Sequence, residues 1–162
     1  MKVTHIDHVG IAVADLDAAI AFYEKAYGMR CAHVEVNEEQ GVREAMMEVG
    51  DSGSFIQLLE PLNPDTTIGR FLDKNGPGIQ QMAYRTDDID KLHGRYLENG
   101  GATLMTGHVP DAGRFIYIDM GDGPHIELAE LAPRFRAVFA YMKGEAASWN
   151  GRDAVRRLPS EL

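Results

Sequence analysis

Residues 6–28, IDHVGIAVADLDAAIAFYEKAYG, decide the fold. Val9, Ile11 and Val13 alternate with His8, Gly10 and Ala12, the period of a strand with one apolar face and one polar or small face. Asp15 then stands where a helix N-cap belongs, and Leu16, Ala19, Ile20 and Tyr23 follow at helical spacing until Gly28 ends the run. The grammar recurs from Ile79 to Gly101. A shift of 73 positions puts His8 on Gln81, Asp15 on Asp88, Asp17 on Asp90, Tyr23 on Tyr96 and Gly28 on Gly101. The second copy has Asp88 as its cap, Ile89, Leu92 and Tyr96 as its buried stripe and Gly100-Gly101 as its stop. Such self-similarity marks a duplicated supersecondary unit.

Working outward, three further strands are predicted after each helix: Arg30–Asn37, Gly41–Gly50 and Ser54–Glu60, then Thr103–Thr106, Arg114–Met120 and His125–Glu130. The fold class is therefore α+β, two βαβββ modules spanning residues 1–62 and 78–132 of one domain. Residues 63–77 link them through a short helix, capped by Asp65 or Thr66, that carries Ile68, Phe71 and Leu72. A C-terminal helical extension, residues 133–162, has Phe135, Val138, Phe139 and Met142 at helical spacing and no counterpart in the first half.

With 162 residues, 44% hydrophobic and 25% charged, the chain can bury a sizeable core. A net charge of −9 argues against nucleic acid as a partner, since that needs a basic surface. No run reaches the ~18 apolar residues of a membrane helix, and the start lacks a signal peptide's apolar stretch, so the expected location is cytoplasmic. An anionic ligand would need local help from groups such as Arg43, Arg70, Lys74, Arg85 or Arg114. Cys31 is the only cysteine, which excludes an intrachain disulfide or a thiolate cluster and leaves nitrogen and oxygen as metal donors.

Gln57 interrupts an apolar strand between Ile56 and Leu58, and Glu127 does the same between Ile126 and Leu128, 70 positions later. His8, Gln57, Gln81 and Glu127 thus form two matched pairs on faces turned away from the helices. An unpaired buried polar group costs about 1–3 kcal/mol, so the four need partners. Hydrogen bonds inside the core are one solution. A divalent ion is the other: an imidazole, two amide oxygens and a carboxylate suit an open octahedral site for Co, Mn, Ni or Mg better than a closed tetrahedral Zn site. Glu44 shares a strand face with Val42 and Met46. It reads either as a solvated strand residue or as a desolvated carboxylate with the raised pKa of a general base.

The segments Ile6–Ala12 (IDHVGIA), Asn37–Met46 (NEEQGVREAM), Gln57–Pro61 (QLLEP) and Phe71–Gly78 (FLDKNGPG) resemble the methylmalonyl-CoA epimerase family. That family belongs to the vicinal oxygen chelate superfamily, which includes glyoxalase I. The resemblance implies paired βαβββ modules whose mixed sheet cups a divalent metal ion (Co, Mn, Ni, Mg or Zn), usually in a homodimer. Carried over position by position, the ligands fall on His8, Gln57 and Glu127. The fourth, normally from a His-His pair, falls on Gln81 of Gln80-Gln81, which offers a carbonyl oxygen. The family's base falls on Glu44. The implied activity is epimerisation of a 2-methylmalonyl-CoA-like acyl-CoA, by proton abstraction next to the thioester through a metal-stabilised enolate. The chain departs from the family again at Gly107–Arg114 and Asp119–Gly123, where acyl or CoA contacts would lie. The alternatives are a glyoxalase-like lyase or isomerase acting on another small acid, or a metal-free binding protein of the bleomycin-resistance kind. A dioxygenase would need two histidines, and only His8 is at hand.

Overall fold

A computed structural model of the protein describes residues 2–109, 113–119 and 125–131. The elements run β1 (Val3–Ala12), α1 (Leu16–Tyr27), β2 (Cys31–Asn37), β3 (Val42–Glu48), β4 (Phe55–Pro61), α2 (Thr67–Asn75), β5 (Gly78–Thr86), α3 (Ile89–Glu98), β6 (Ala102–Val109), β7 (Gly113–Asp119) and β8 (His125–Leu131). This is the α+β arrangement expected from the repeat. The expected C-terminal helix at 133–162 lies outside the described residues.

The caps set the helix boundaries. Asp15 and Asp88 each accept the backbone N–H three residues on, from Ala18 and Lys91, and Gly28 closes α1 at a φ of 67°. Of the two expected caps for α2, Thr66 takes the role, its hydroxyl accepting from Gly69 N–H at 3.0 Å. A strand edge moves as well: β6 runs from Ala102 to Val109, beyond the expected Thr103–Thr106. Its full length pairs antiparallel with β7, and that ladder outweighs the weak strand signal of Gly107 and His108.

All eight strands form one sheet in the order β2-β3-β4-β1-β5-β8-β7-β6. Read from either edge inward, the order is the same for the two halves, and they join through antiparallel pairing of β1 with β5. Within each half the first and last strands pair in parallel, β1 with β4 and β5 with β8. Alternation along the strands divides the sheet into two faces. On one, Leu16 of α1 packs with Ala45, Met47 and Leu58, and Ile89 of α3 packs with Ile116, Ile118, Ile126 and Leu128. On the other, Ile68 of α2 covers Ala12, Val42 and Leu59 at one end. Neighbours Leu58 and Leu59 therefore serve opposite layers. The duplication is also visible in two matched ion pairs, Arg43 to Asp17 at 2.6 and 3.0 Å and Arg114 to Asp90 at 2.6 and 3.1 Å, each joining a strand to its module's helix. Among the described residues no helix is long and apolar enough to cross a membrane.

Leu58 is fully buried in the larger cluster. Leu58→Ala should lower stability by about 2–5 kcal/mol, against about 1 kcal/mol for Asp15→Ala, which removes only a cap. Denaturant unfolding of the two variants checks the order.

Candidate functional site

On the face opposite α1 and α3, two rows of residues cross the four central strands. In one, Gly10 of β1 lies between Gln57 of β4 and Gln81 of β5. In the other, Ala83 of β5 lies between His8 of β1 and Glu127 of β8. Each row has a small residue in the middle and polar residues at its ends. At Gly10 the small size is a requirement, because an added Cβ would lie 2.5 Å from Gln81 Cγ and 3.1 Å from its Cδ.

The four polar side chains meet around one atom. Gln81 Nε2 lies 3.0 Å from Gln57 Oε1, 3.3 Å from His8 Nε2 and 3.4 Å from Glu127 Oε2, and the last two atoms are 3.5 Å apart. His8, Gln81 and Glu127 are buried. The sequence reading gave Gln81 to the cluster through its oxygen, but here the amide is turned round. Its Oε1 accepts from the Tyr117 hydroxyl at 2.9 Å and its nitrogen faces inward.

Each ring member has a further partner. His8 Nδ1 is 2.9 Å from Asp7 Oδ1, and Asp7 is ion-paired with Arg85. With Nδ1–H donated to Asp7, Nε2 is left to present a lone pair to the centre. Strict alternation would put Asp7 and His8 on opposite faces, but a register irregularity between Ile6 and His8 lets both be buried. Gln57 Nε2 donates to Glu44 Oε2 at 2.6 Å, which turns Gln57 Oε1 toward the centre. Glu44 is itself buried. Burial pushes its carboxyl up to about 8, and the adjacent Glu35 carboxylate adds to the rise, while the hydrogen bond from the Gln57 amide works against it. Glu35, held by its hydrogen bonds to Glu44 and to His33, moves the other way, below the usual carboxylate range. Burial and the Glu127 carboxylate push the Tyr117 phenol well above its ordinary range, so it stays a donor.

The donor set fits a divalent cation. An amide nitrogen has two protons, while three acceptors surround this one. One acceptor is left short of positive charge, and a cation would supply it. No three of His, Cys, Asp and Glu gather as a metal-binding group among the described residues. The groups that would hold an ion here are one imidazole, one carboxylate and the inward-facing amide oxygen of Gln57, a nitrogen- and oxygen-donor set.

Asp7, Arg85, Glu35, Gly10 and Tyr117 were not singled out for this site from sequence, apart from Arg85 as a possible anion contact. Asp7 stood beside His8, and Tyr117 is the cross-strand neighbour of Glu127, a relation that needs the β7–β8 register to be seen. Of the basic candidates, Arg43 pairs with Asp17 and Glu60, Arg114 with Asp90, Arg85 with Asp7, and Arg70 donates to the Asp65 carbonyl.

Comparison with known proteins matches residues 7–118 to the family described as Glyoxalase/Bleomycin resistance protein/Dioxygenase superfamily. The chain is 33% identical over 103 residues to an ethylmalonyl-CoA/methylmalonyl-CoA epimerase from Cereibacter sphaeroides, an alignment covering 63% of this chain and 75% of that protein. It spans about half the length of other curated relatives, 55% for Bacillus subtilis YqjC and 48% for human mitochondrial methylmalonyl-CoA epimerase. Among solved structures it is similar to methylmalonyl-CoA epimerase from Mycobacterium tuberculosis, with a TM-score of 0.77 and 44% identity over 83% of this chain and 93% of that one. It is also similar to a Streptomyces coelicolor methylmalonyl-CoA epimerase variant in complex with 2-nitronate-propionyl-CoA, with a TM-score of 0.73 and 39% identity over 81% of this chain and 99% of that one. Matched over more than half its length, the chain belongs to the Glyoxalase/Bleomycin resistance protein/Dioxygenase superfamily.

Proposed function

We propose that this protein is an acyl-CoA epimerase that inverts C2 of a 2-methylmalonyl-CoA-like substrate. The observation that carries the reading is Glu44: a buried carboxylate, its pKa raised toward neutrality, hydrogen-bonded to a residue of the polar ring. The likeness to epimerases, one of them holding an acyl-CoA analogue, supports the substrate class.

In this reading His8, Gln57, Gln81 and Glu127 hold a divalent cation. Bound there, it would supply the positive charge that polarises a thioester carbonyl and steadies the negative charge left when C2 loses its proton. The remaining work falls to the chain. Glu44 accepts the C2 proton. Desolvation makes its ionised form a stronger base than a solvated glutamate, and the Gln57 amide fixes the carboxylate's position beside the ring. Asp7 and Arg85 keep His8 in one tautomer and orientation. At one end of this face Ile68 of α2 packs on Ala12, Val42 and Leu59. The proposal includes a cytoplasmic location and a homodimer, the latter supported by the exposed apolar side chains Val34 and Val36 on the edge strand β2.

The deciding experiment is exchange of the C2 proton of methylmalonyl-CoA in deuterated water. Wild type with added Co²⁺ should exchange it, and absence of exchange removes the substrate assignment while leaving the fold intact. Glu44→Gln should cut exchange and epimerisation together by about 10²–10⁴-fold with the unfolding transition unchanged; near-wild-type exchange would pass the role to another group. The pH profile has a defined sign. Only ionised Glu44 accepts a proton, so kcat/KM should climb as pH rises through the region near 8 and be lost below it, with a bound cation moving this limb to lower pH. Glu35→Gln removes a carboxylate that raises Glu44, so its limb should lie at lower pH than wild type's. An unmoved limb would show that the titrating group is not Glu44. Chelator should abolish the activity and Co²⁺ or Mn²⁺ restore it; activity indifferent to both would favour a metal-free site.

A further inference from the structure

The two glutamine amides of the ring are held in opposite senses. Gln57 donates its nitrogen to Glu44 and turns its oxygen inward, while Gln81 gives its oxygen to Tyr117 and turns its nitrogen inward. An ionised carboxylate can only accept, so while Glu44 is ionised Gln57 has one orientation. A tyrosine hydroxyl both donates and accepts, so Tyr117 can serve the Gln81 amide in either orientation. With the nitrogen inward, as here, Tyr117 donates to Oε1. With the amide rotated half a turn, Nε2 donates to the Tyr117 oxygen and the phenolic proton turns to Glu127, its cross-strand neighbour. Gly10 holds the rest of the side chain, its Cα facing Gln81 Cγ and Cδ so closely that no Cβ fits. The aliphatic part of Gln81 is thus held in place while its terminal amide has two satisfied settings.

We infer that Tyr117 is a positioning residue that makes Gln81 a reversible ligand: without a cation the amide nitrogen stands in the ring, and with one the amide turns its oxygen to the ion. The inference rests on the reading that a divalent cation binds this ring. In the first setting the inward NH₂ supplies two of the three hydrogen bonds that the ring's acceptors require. Phenylalanine at 117 would leave the rotated amide's nitrogen buried without an acceptor, so ligation by Gln81 should be lost while the other three ligands stay.

The test is Co²⁺ binding, followed by calorimetry and by the visible absorption of the bound ion, for wild type, Tyr117→Phe, Gln81→Ala and the double variant. Loss of an outer partner of a ligand typically weakens metal affinity 10–100-fold. Tyr117→Phe should show that loss in the wild-type background and no further loss in Gln81→Ala, with the two single variants giving the same altered Co²⁺ spectrum. Unchanged affinity in Tyr117→Phe, or an equal loss in both backgrounds, overturns the inference. Wild type that binds no Co²⁺ overturns the metal reading and the inference with it, whereas binding that ignores Tyr117 overturns the inference alone. Thermal melts in chelator check that each variant folds. Should Tyr117→Phe not fold, wild-type protein labelled with ¹⁵N decides: diamagnetic Zn²⁺ should shift the side-chain NH₂ pair of Gln81, assigned by its absence in Gln81→Ala. Zn²⁺ binding that leaves that pair in place overturns the inference.

Discussion

Two amide protons facing three acceptors is the constraint around which this molecule is built. Gln81 Nε2 is the common neighbour of His8, Gln57 and Glu127, in a region that water does not flood. In a low-dielectric interior every unmet hydrogen bond is costly, so the surrounding groups are arranged in pairs. Asp7 and Arg85 neutralise one another behind His8, Glu44 partners Gln57, and Tyr117 partners Gln81. The remaining shortage is of positive charge at the centre, which is what a cation would relieve.

The sheet can hold such a centre because it was assembled from two copies of one unit. The antiparallel β1–β5 seam places Gly10 and Ala83 in the middle of two rows, and each small side chain clears the space into which the row's polar ends reach. The helices α1 and α3 and the two larger apolar clusters lie on the opposite face, so stability and chemistry are separated by one layer of strands. Among the described helices only α2 lies on the functional side, where it packs over one end. Because ring members come from four strands of a continuous ladder, their spacing is set by backbone hydrogen bonds, which are far stiffer than loops.

Glu44 shows how burial and neighbours combine. Desolvation is the largest influence on it, and the Glu35 carboxylate adds a like charge from the adjacent strand, so the proton settles on the buried partner of the pair. Glu35 lies nearer solvent, with His33 at 3.0 Å to favour its charge. The polarity gradient across a single pair of strands thus separates two chemically identical groups into an acid that keeps its proton near neutrality and a carboxyl that gives its proton up more readily than usual.

Much of this was legible in the chain alone. The 73-residue shift identified the duplication, and with it the α+β class, because hydrophobic period and capping residues are local properties that any stretch carries with it. His8 and Gln81 could be paired from that shift, and Gln57 and Glu127 from a nearby one of 70, since equivalent positions of a repeat face the same way. What the sequence could not contain was register: which residues stand opposite one another when β1 meets β5 and β7 meets β8. Register made Gly10 and Ala83 the spacers, brought Tyr117 beside Glu127 and Gln81, and let a strand irregularity bury Asp7 with His8. The orientation of an amide is equally invisible in one-dimensional text, because glutamine offers a donor and an acceptor at the same reach and only its three-dimensional neighbours choose between them.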